Sequence, residues 1–279
     1  MASESSRISP TAHYTSHVWV ANGLSHPALA TLKGRILHAV LAAPNAGYSR
    51  LGHANLDEML LARHRVIDHL LEREVAGGRV RQVIEIAAGM SPRGFRFAAR
   101  HRQLRYIEAD LPEQAALKRK LLARAGLRTD NHEVVSIDAF QADGETSLGA
   151  VADRLDRGAG TAIVTEGLVG YFDQTTVENL WRRIARVLAD LGGGLYLSDL
   201  VLGGDATLGA RAFRRLLAWF ARGPVYLHYD GPAQAEGALL AAGFSTARAH
   251  RVGDLAEVDV PRRDRQIVRV LEARVGGAE

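Results

Sequence analysis

Residues 81–112 read RQVIEIAAGMSPRGFRFAARHRQLRYIEADLP, and their pattern decides the fold. An apolar strand pattern, Val83-Ile84-Glu85-Ile86-Ala87, runs into a turn of small residues, Ala88-Gly89-Met90-Ser91-Pro92. A helix-like run from Arg93 to Arg100 follows, then a second strand pattern from Leu104 to Asp110, closed by Leu111-Pro112. A strand, a glycine-bearing turn, a helix and a second strand ending in an acid about 20 residues on form a nucleotide-binding βαβ half. Gly89 has no Cβ to hold a ligand away from the backbone. Asp110, at the carboxyl end of the second strand, is placed to accept hydrogen bonds from the two hydroxyls of a ribose.

Two cofactor classes share this geometry. Dinucleotide binders use G-x-G-x-x-G to seat a pyrophosphate on a helix N-terminus. Here those positions are Ala87, Gly89 and Pro92, and proline removes an N–H that a phosphate would use. Glu85, just before the turn, suits a cationic ligand better than a diphosphate. S-adenosylmethionine has ribose and adenine but no phosphate, and it carries a sulfonium and an ammonium. The site chemistry therefore favours it over a nicotinamide or flavin cofactor.

Working outward, 279 residues allow one large α/β domain or two small ones. Cysteine is absent, which excludes disulfides, thiolate metal sites and a cysteine nucleophile. Met1 to Pro10 lack the apolar core of a signal peptide, and no apolar run approaches the ~18 residues of a membrane span. The expectation is a cytoplasmic protein without a membrane partner. The formal charge is +4, and only Lys33, Lys118 and Lys120 are lysines. Heavy use of Arg, Ala and Gly points to a high-GC bacterial genome. Arg93, Arg96 and Arg100 share one face of the first helix, which reads as a solvated face. No aromatic interleaving accompanies the charge, so a nucleic-acid partner is not expected.

Before the first strand, an amphipathic run from Thr11 carries Tyr14, Val18, Trp19 and Leu24. A second helix spans about residues 28–43, and a loop covers 44–53. A long helix over residues 55–74 turns Leu56, Leu60, Val66, Ile67, Leu70 and Leu71 inward and ends at Gly77-Gly78. His13 and His17 lie four apart without a third ligand nearby, so no metal site is expected. Residues 1–78 are read as a helical cap, or lid, over one end of the sheet, and 79–279 as the cofactor-binding domain. After the opening half come a helix (113–125), a strand ending at Asp138, one helix within 141–160, and a strand ending at Glu166. A helix capped by Asp173 and a strand at 195–200 complete the alternation. This describes an α/β, doubly wound, mostly parallel seven-stranded sheet. Residues 201–230 are read as a helical insert bordering the substrate pocket, with a helix over 206–221. Two late strand patterns, 244–252 and 266–273, add an antiparallel edge.

Gly89, Asp110, Asp138 and Glu166 thus stand at or beside the ends of four successive strands. Ligands in open α/β sheets bind outside those carboxyl ends. Around them the chain resembles the class I adenosylmethionine-dependent methyltransferases, and more narrowly the leucine carboxyl methyltransferase-like group. That group includes bacterial O-methyltransferases of polyketide and other secondary metabolism. The resemblance runs through VIEIAAGMSPRG (83–94), IEADLP (107–112) with Lys118 beyond it, VSIDAF (135–140) and VTEGLVGYF (164–172). ARHRVID (62–68) resembles the group's arginine-bearing helix upstream of the first strand. The group usually has Gly where Ala87 stands and Asp-Thr-Arg where Ser91-Pro92-Arg93 stands.

The resemblance implies a Rossmann-like methyltransferase fold that binds S-adenosylmethionine and releases S-adenosylhomocysteine. It implies that Arg63, with Arg65 as the alternative, pairs with the methionine carboxylate, and that Glu85, Ala87 and Gly89 line the methionine end. Asp110 then holds the ribose and Leu111 packs on the adenine. Asp138 accepts from the adenine amino group, with Ala139 and Phe140 beside the ring, while Glu166 and Gly167 adjoin the sulfonium. The acceptor is a small molecule with a hydroxyl or carboxylate. A carboxylate needs no base, whereas a hydroxyl gains from one titrating near neutrality. His17 and His228 are the candidates, because both lie in segments expected to roof the sheet. A nicotinamide-dependent oxidoreductase and a non-catalytic cofactor-binding protein are the rival readings, and the oligomeric state, a homodimer included, is open.

Overall fold

Residues 82–86 form β1 (Gln82–Ile86), buried along its whole length at the centre of the sheet. The computed structural model describes residues 5–50, 55–204, 224–260 and 268–276. Three helices precede β1: α1 (Ser5–Ala21), α2 (Leu32–Arg50) and α3 (Leu56–Ala76). Then follow α4 (Arg93–Arg100), β2 (Arg105–Asp110), α5 (Pro112–Arg124), β3 (His132–Ser136), α6 (Leu148–Ala152), β4 (Thr161–Thr165), α7 (Gln174–Asp190) and β5 (Gly194–Val201). The described chain ends with α8 (Pro232–Ala241), β6 (Thr246–Arg251) and β7 (Val268–Val275). The helix expected over 206–221, and with it most of the 201–230 insert, lies outside the described residues.

The strand order is β3-β2-β1-β4-β5-β7-β6. β1 to β5 pair in parallel, and β7 runs antiparallel between β5 and β6. The antiparallel pairing therefore lies at the expected side of a mostly parallel sheet. Strand order reverses between β1 and β4, which opens a crevice at their carboxyl ends.

Alternation along each strand separates two core layers. Ile84 and Ile86 of β1 face a cluster with Trp181, Ile184 and Leu188 of α7. Val83 faces the opposite cluster, with Val66, Ile67, Leu70 and Leu71 of α3 and Phe97 of α4. Each such aliphatic side chain contributes about 1.5–3 kcal/mol on burial. The same period of two turns Glu85 toward α3 and α4, so a carboxylate stands in an apolar layer and must be met by cations.

The helix ends follow local chemistry. α3 opens with a capping box: the Glu58 amide donates to Asn55 Oδ1 at 2.8 Å, and Asn55 N donates to Glu58 Oε2 at 3.3 Å. Asp173 caps α7, as expected, accepting from Thr176 N at 2.8 Å. One expectation fails. The loop read over 44–53 is helical as far as Arg50. A proline in a helix frees the carbonyl four residues back, and that residue, Val40, stands on an exposed part of the helix, 60% accessible.

Candidate functional site

The turn after β1 is strained. Ala87 has φ +53° and Gly89 φ +48°, so Ala87 holds a left-handed conformation that glycine adopts more readily. Asp110, the last residue of β2, fastens the turn. Gly89 N donates to its Oδ2 at 2.6 Å and Leu111 N to its Oδ1 at 2.7 Å. Burial raises the Asp110 carboxyl above its ordinary value, and the two amides oppose that rise. Each oxygen keeps a second lone pair, so Asp110 can still accept from a ribose hydroxyl.

Behind the turn lies a buried cluster of charges. Arg93, expected on a solvated face, is fully buried. It donates to Asp68 Oδ1, Glu85 Oε1 and Glu166 Oε2, each at 2.6 Å. Its neighbours on that face differ: the Arg96 side chain is 26% exposed on Asp68, and that of Arg100 is 61% exposed. Tyr106 donates its hydroxyl to Glu85 Oε2 at 2.7 Å. Glu166 also receives Arg63 Nε at 3.2 Å and lies 2.8 Å from His64 Nδ1. Burial alone would raise the Glu166 carboxyl, but His64, Arg93 and Arg63 hold it well below the carboxylate range. Arg63 reaches Asp199 Oδ2 at 2.9 Å, and Asp199 Oδ1 accepts from Gly167 N at 2.6 Å. Gly167 (φ +68°) permits this, since a Cβ there would sit 2.7 Å from Arg63 Nη2.

A cavity of about 120 Å³ opens in front of the cluster, between the strand ends and α1. Arg63, Glu85, Ala87, Gly89, Glu166 and Gly167 all line it. Five other expected cofactor residues lie off its wall. Asp110 accepts from Gly89 N and Leu111 N, while Asp138 Oδ1 accepts from Phe140 N at 3.0 Å. Ala139 O accepts from Arg183, and the Phe140 ring packs on Phe172 with centroids 4.2 Å apart. Arg65 points elsewhere, to the Asp259 carbonyl at 2.6 Å. Neither His17 nor His228 lines the cavity. His17 faces the His38 ring at 4.7 Å, and His228 Nε2 lies 2.7 Å from the Phe172 carbonyl. The reading of the sequence missed Arg93, His64 and Asp199. Asp199 had a usable signal, because it is a further acid near the carboxyl end of a parallel strand.

The cavity wall fits adenosylmethionine in its charge. Three carboxylates (Glu85, Glu166, Asp199) and one guanidinium (Arg63) face the space. The ligand presents the complement, two cations and one carboxylate. No group of three or more His, Cys, Asp or Glu able to hold a metal occurs among the described residues, and no described helix is long and apolar enough to cross a membrane.

Comparison with known proteins agrees. The sequence model of the leucine carboxyl methyltransferase family matches residues 22–185. A Streptomyces coelicolor protein assigned as an S-adenosyl-L-methionine-dependent methyltransferase is 31% identical over 125 residues, 45% of this chain and 43% of the relative. The match thus spans less than half of that relative's length. Among solved structures, a Streptomyces avermitilis DUF574 family protein superposes with a TM-score of 0.65 at 13% identity, covering 95% of this chain and 97% of that one. A Thermobifida fusca methyltransferase structure gives 0.64 at 14% identity, covering 95% and 94%. Magnesium protoporphyrin IX methyltransferase from Synechocystis, with bound SAH, gives 0.52 at 15% identity, covering 87% and 99%. At these identities the likeness is one of fold.

Proposed function

The chain belongs to the leucine carboxyl methyltransferase family, with S-adenosylmethionine as its cofactor, and from that premise we propose that it methylates an oxygen, hydroxyl or carboxylate, of a small molecule. The observation that carries this reading is the single cavity joining Arg63 to Glu85, Glu166 and the Gly89 turn. The bound cofactor supplies an electrophilic methyl group on a sulfonium. Arg63 would hold its carboxylate, and Glu85 and Glu166 would face its cations. Asp110 would take the ribose, with Leu111, Asp138, Ala139 and Phe140 around the adenine. Thr11, Tyr14, Thr15 and Trp19 of α1 line one side of the cavity and would limit the approach of water to the methyl group. Transfer is then mainly a matter of holding the acceptor oxygen in line, which supplies much of the rate.

A carboxylate acceptor needs no proton removed. A hydroxyl acceptor would call on His17 or His228, which must then approach the cavity from their present positions. The Arg-, Ala- and Gly-rich composition and the Streptomyces relative support a bacterial methyltransferase; a cytoplasmic location and a secondary metabolite as acceptor complete the proposal. The test is isothermal titration with S-adenosylhomocysteine, followed by assay of S-adenosylhomocysteine release from S-adenosylmethionine with hydroxylated and carboxylated acceptors. Asp110→Ala should abolish binding and Arg96→Ala should preserve it. Absence of heat with the intact protein at high micromolar ligand would refute the reading.

A further inference from the structure

Arg93 touches no part of the cavity, yet three of the carboxylates around the site depend on it. Its guanidinium meets Asp68 of α3, Glu85 of β1 and Glu166 beyond β4, each at 2.6 Å, in a fully buried setting. Two of these three, Glu85 and Glu166, line the cavity. The fork is matched to the task, because a planar guanidinium can address three carboxylates at once where an ammonium acts as a point charge. Around the same cluster stand His64 and Arg63 on α3, Arg96 on α4, Tyr106 on β2 and Asp199 on β5.

We propose that Arg93 is a positioning residue of the methyl-donor site, fixing the Glu85 and Glu166 carboxylates so that both present negative charge to the cationic end of the cofactor. The inference rests on the reading of the cavity given above and goes beyond it, since Arg93 acts from behind the wall. The physical argument is one of charge crowding. Asp68, Glu85, Glu166 and Asp199 place four carboxylates in one buried region, with Arg63, Arg93 and Arg96 as counter-ions. Without Arg93, neighbouring buried carboxylates cannot all stay ionised, and a proton enters the cluster near neutral pH. The wall then loses negative charge where the ligand carries positive charge. A second effect is geometric: Arg93 Nη2 and Arg63 Nε take the two oxygens of Glu166, which fixes the plane of that carboxylate.

A purely structural role would weaken every ligand alike, so the test compares two ligands that differ in charge at sulfur. S-adenosylmethionine carries a sulfonium, and S-adenosylhomocysteine carries a neutral thioether. Affinities of both are measured for the intact protein, Arg93→Met, Arg93→Lys and Arg100→Ala, from roughly pH 6 to 8.5. The expected result for Arg93→Met is a loss of about tenfold or more in preference for the sulfonium ligand, the counterpart of one charge-assisted contact. Its sulfonium affinity should climb with pH, where that of the intact protein is level. Arg93→Lys should recover part of the preference, and Arg100→Ala, whose exposed side chain pairs with Glu72 outside the cluster, should leave it intact. If Arg93→Met does not fold, Arg93→Met/Asp68→Asn removes one of the stranded carboxylates and takes its place, with the same expected result.

A folded variant lacking Arg93 that keeps the preference and the level profile of the intact protein overturns the proposal. Failure of the intact protein to bind either ligand overturns the reading of the cavity itself, and the two failures are distinct.

Discussion

The β-carbon of Ala12 lies 3.3 Å from the point where a side chain on Gly89 would begin. The first helix is therefore seated directly on the turn that follows β1. Thr11, beside Ala12, also reaches the opposite wall through a side-chain hydrogen bond with Tyr171. The first helix and the turn are in contact here, and a change at either is felt by the other.

Gly89→Ala follows from this contact. Placing a Cβ at φ +48° costs about 1–2 kcal/mol in the backbone, and the new methyl also presses on α1. A fall in melting temperature of about 2–4 °C per kcal/mol is expected, together with weaker S-adenosylhomocysteine binding. Calorimetric melting and titration of the same sample check both, and an unchanged melting point would contradict the packing described.

Ala87→Gly should act in the opposite direction. Ala87 holds φ +53°, a conformation costing an L-residue about 1–2 kcal/mol. Glycine returns part of that gain, about 0.4–1 kcal/mol, through the freedom of the unfolded chain. The net expectation is a stabilisation of about 0.5–1 kcal/mol, read as a rise in the urea midpoint. A lower midpoint would mean that the turn is not strained at this residue.

Acid should weaken the fold at the end of the sheet remote from the cavity. Glu74 is buried among Arg79, Arg274 and Arg73, whose hydrogen bonds outweigh burial and draw its carboxyl down to about 2. Burial of Glu272 is likewise outweighed by His250 and Arg274, and its carboxyl also falls to about 2. Both folded values lie below the unfolded value of about 4.3. Their stabilisation is thus complete above about pH 4.3 and is lost as pH falls toward about 2. Urea unfolding at stepped pH should show that loss in the intact protein and a smaller one in Glu74→Gln/Glu272→Gln. Identical pH dependence in the two would remove these carboxylates as its cause.

The run from β1 to β2 was legible because local rules decide it. Alternation in Val83–Ile86, the small-residue turn and the acid at Asp110 each belong to a few adjacent residues. The inward face of α3 was legible for the same reason, and all six side chains assigned to it are buried. Arg93 was not. On a helical wheel Arg93 and Arg100 lie within about 20° of each other, yet one is fully buried and the other's side chain is 61% exposed. Position along the helix axis separates them, since Arg93 stands where α4 meets Asp68 of α3.

Sequence alone determined the order of the elements, the parallel sheet and the strand ends where a ligand belongs, because hydrophobic period and turn chemistry act over short stretches of chain. Only the tertiary structure decided which charges meet. Arg93 and Glu166 are 73 residues apart, and Arg63 and Asp199 are 136 apart. A periodic pattern reports which face of an element is buried, but the partner across that face comes from another element, and its distance is fixed only when the layers pack.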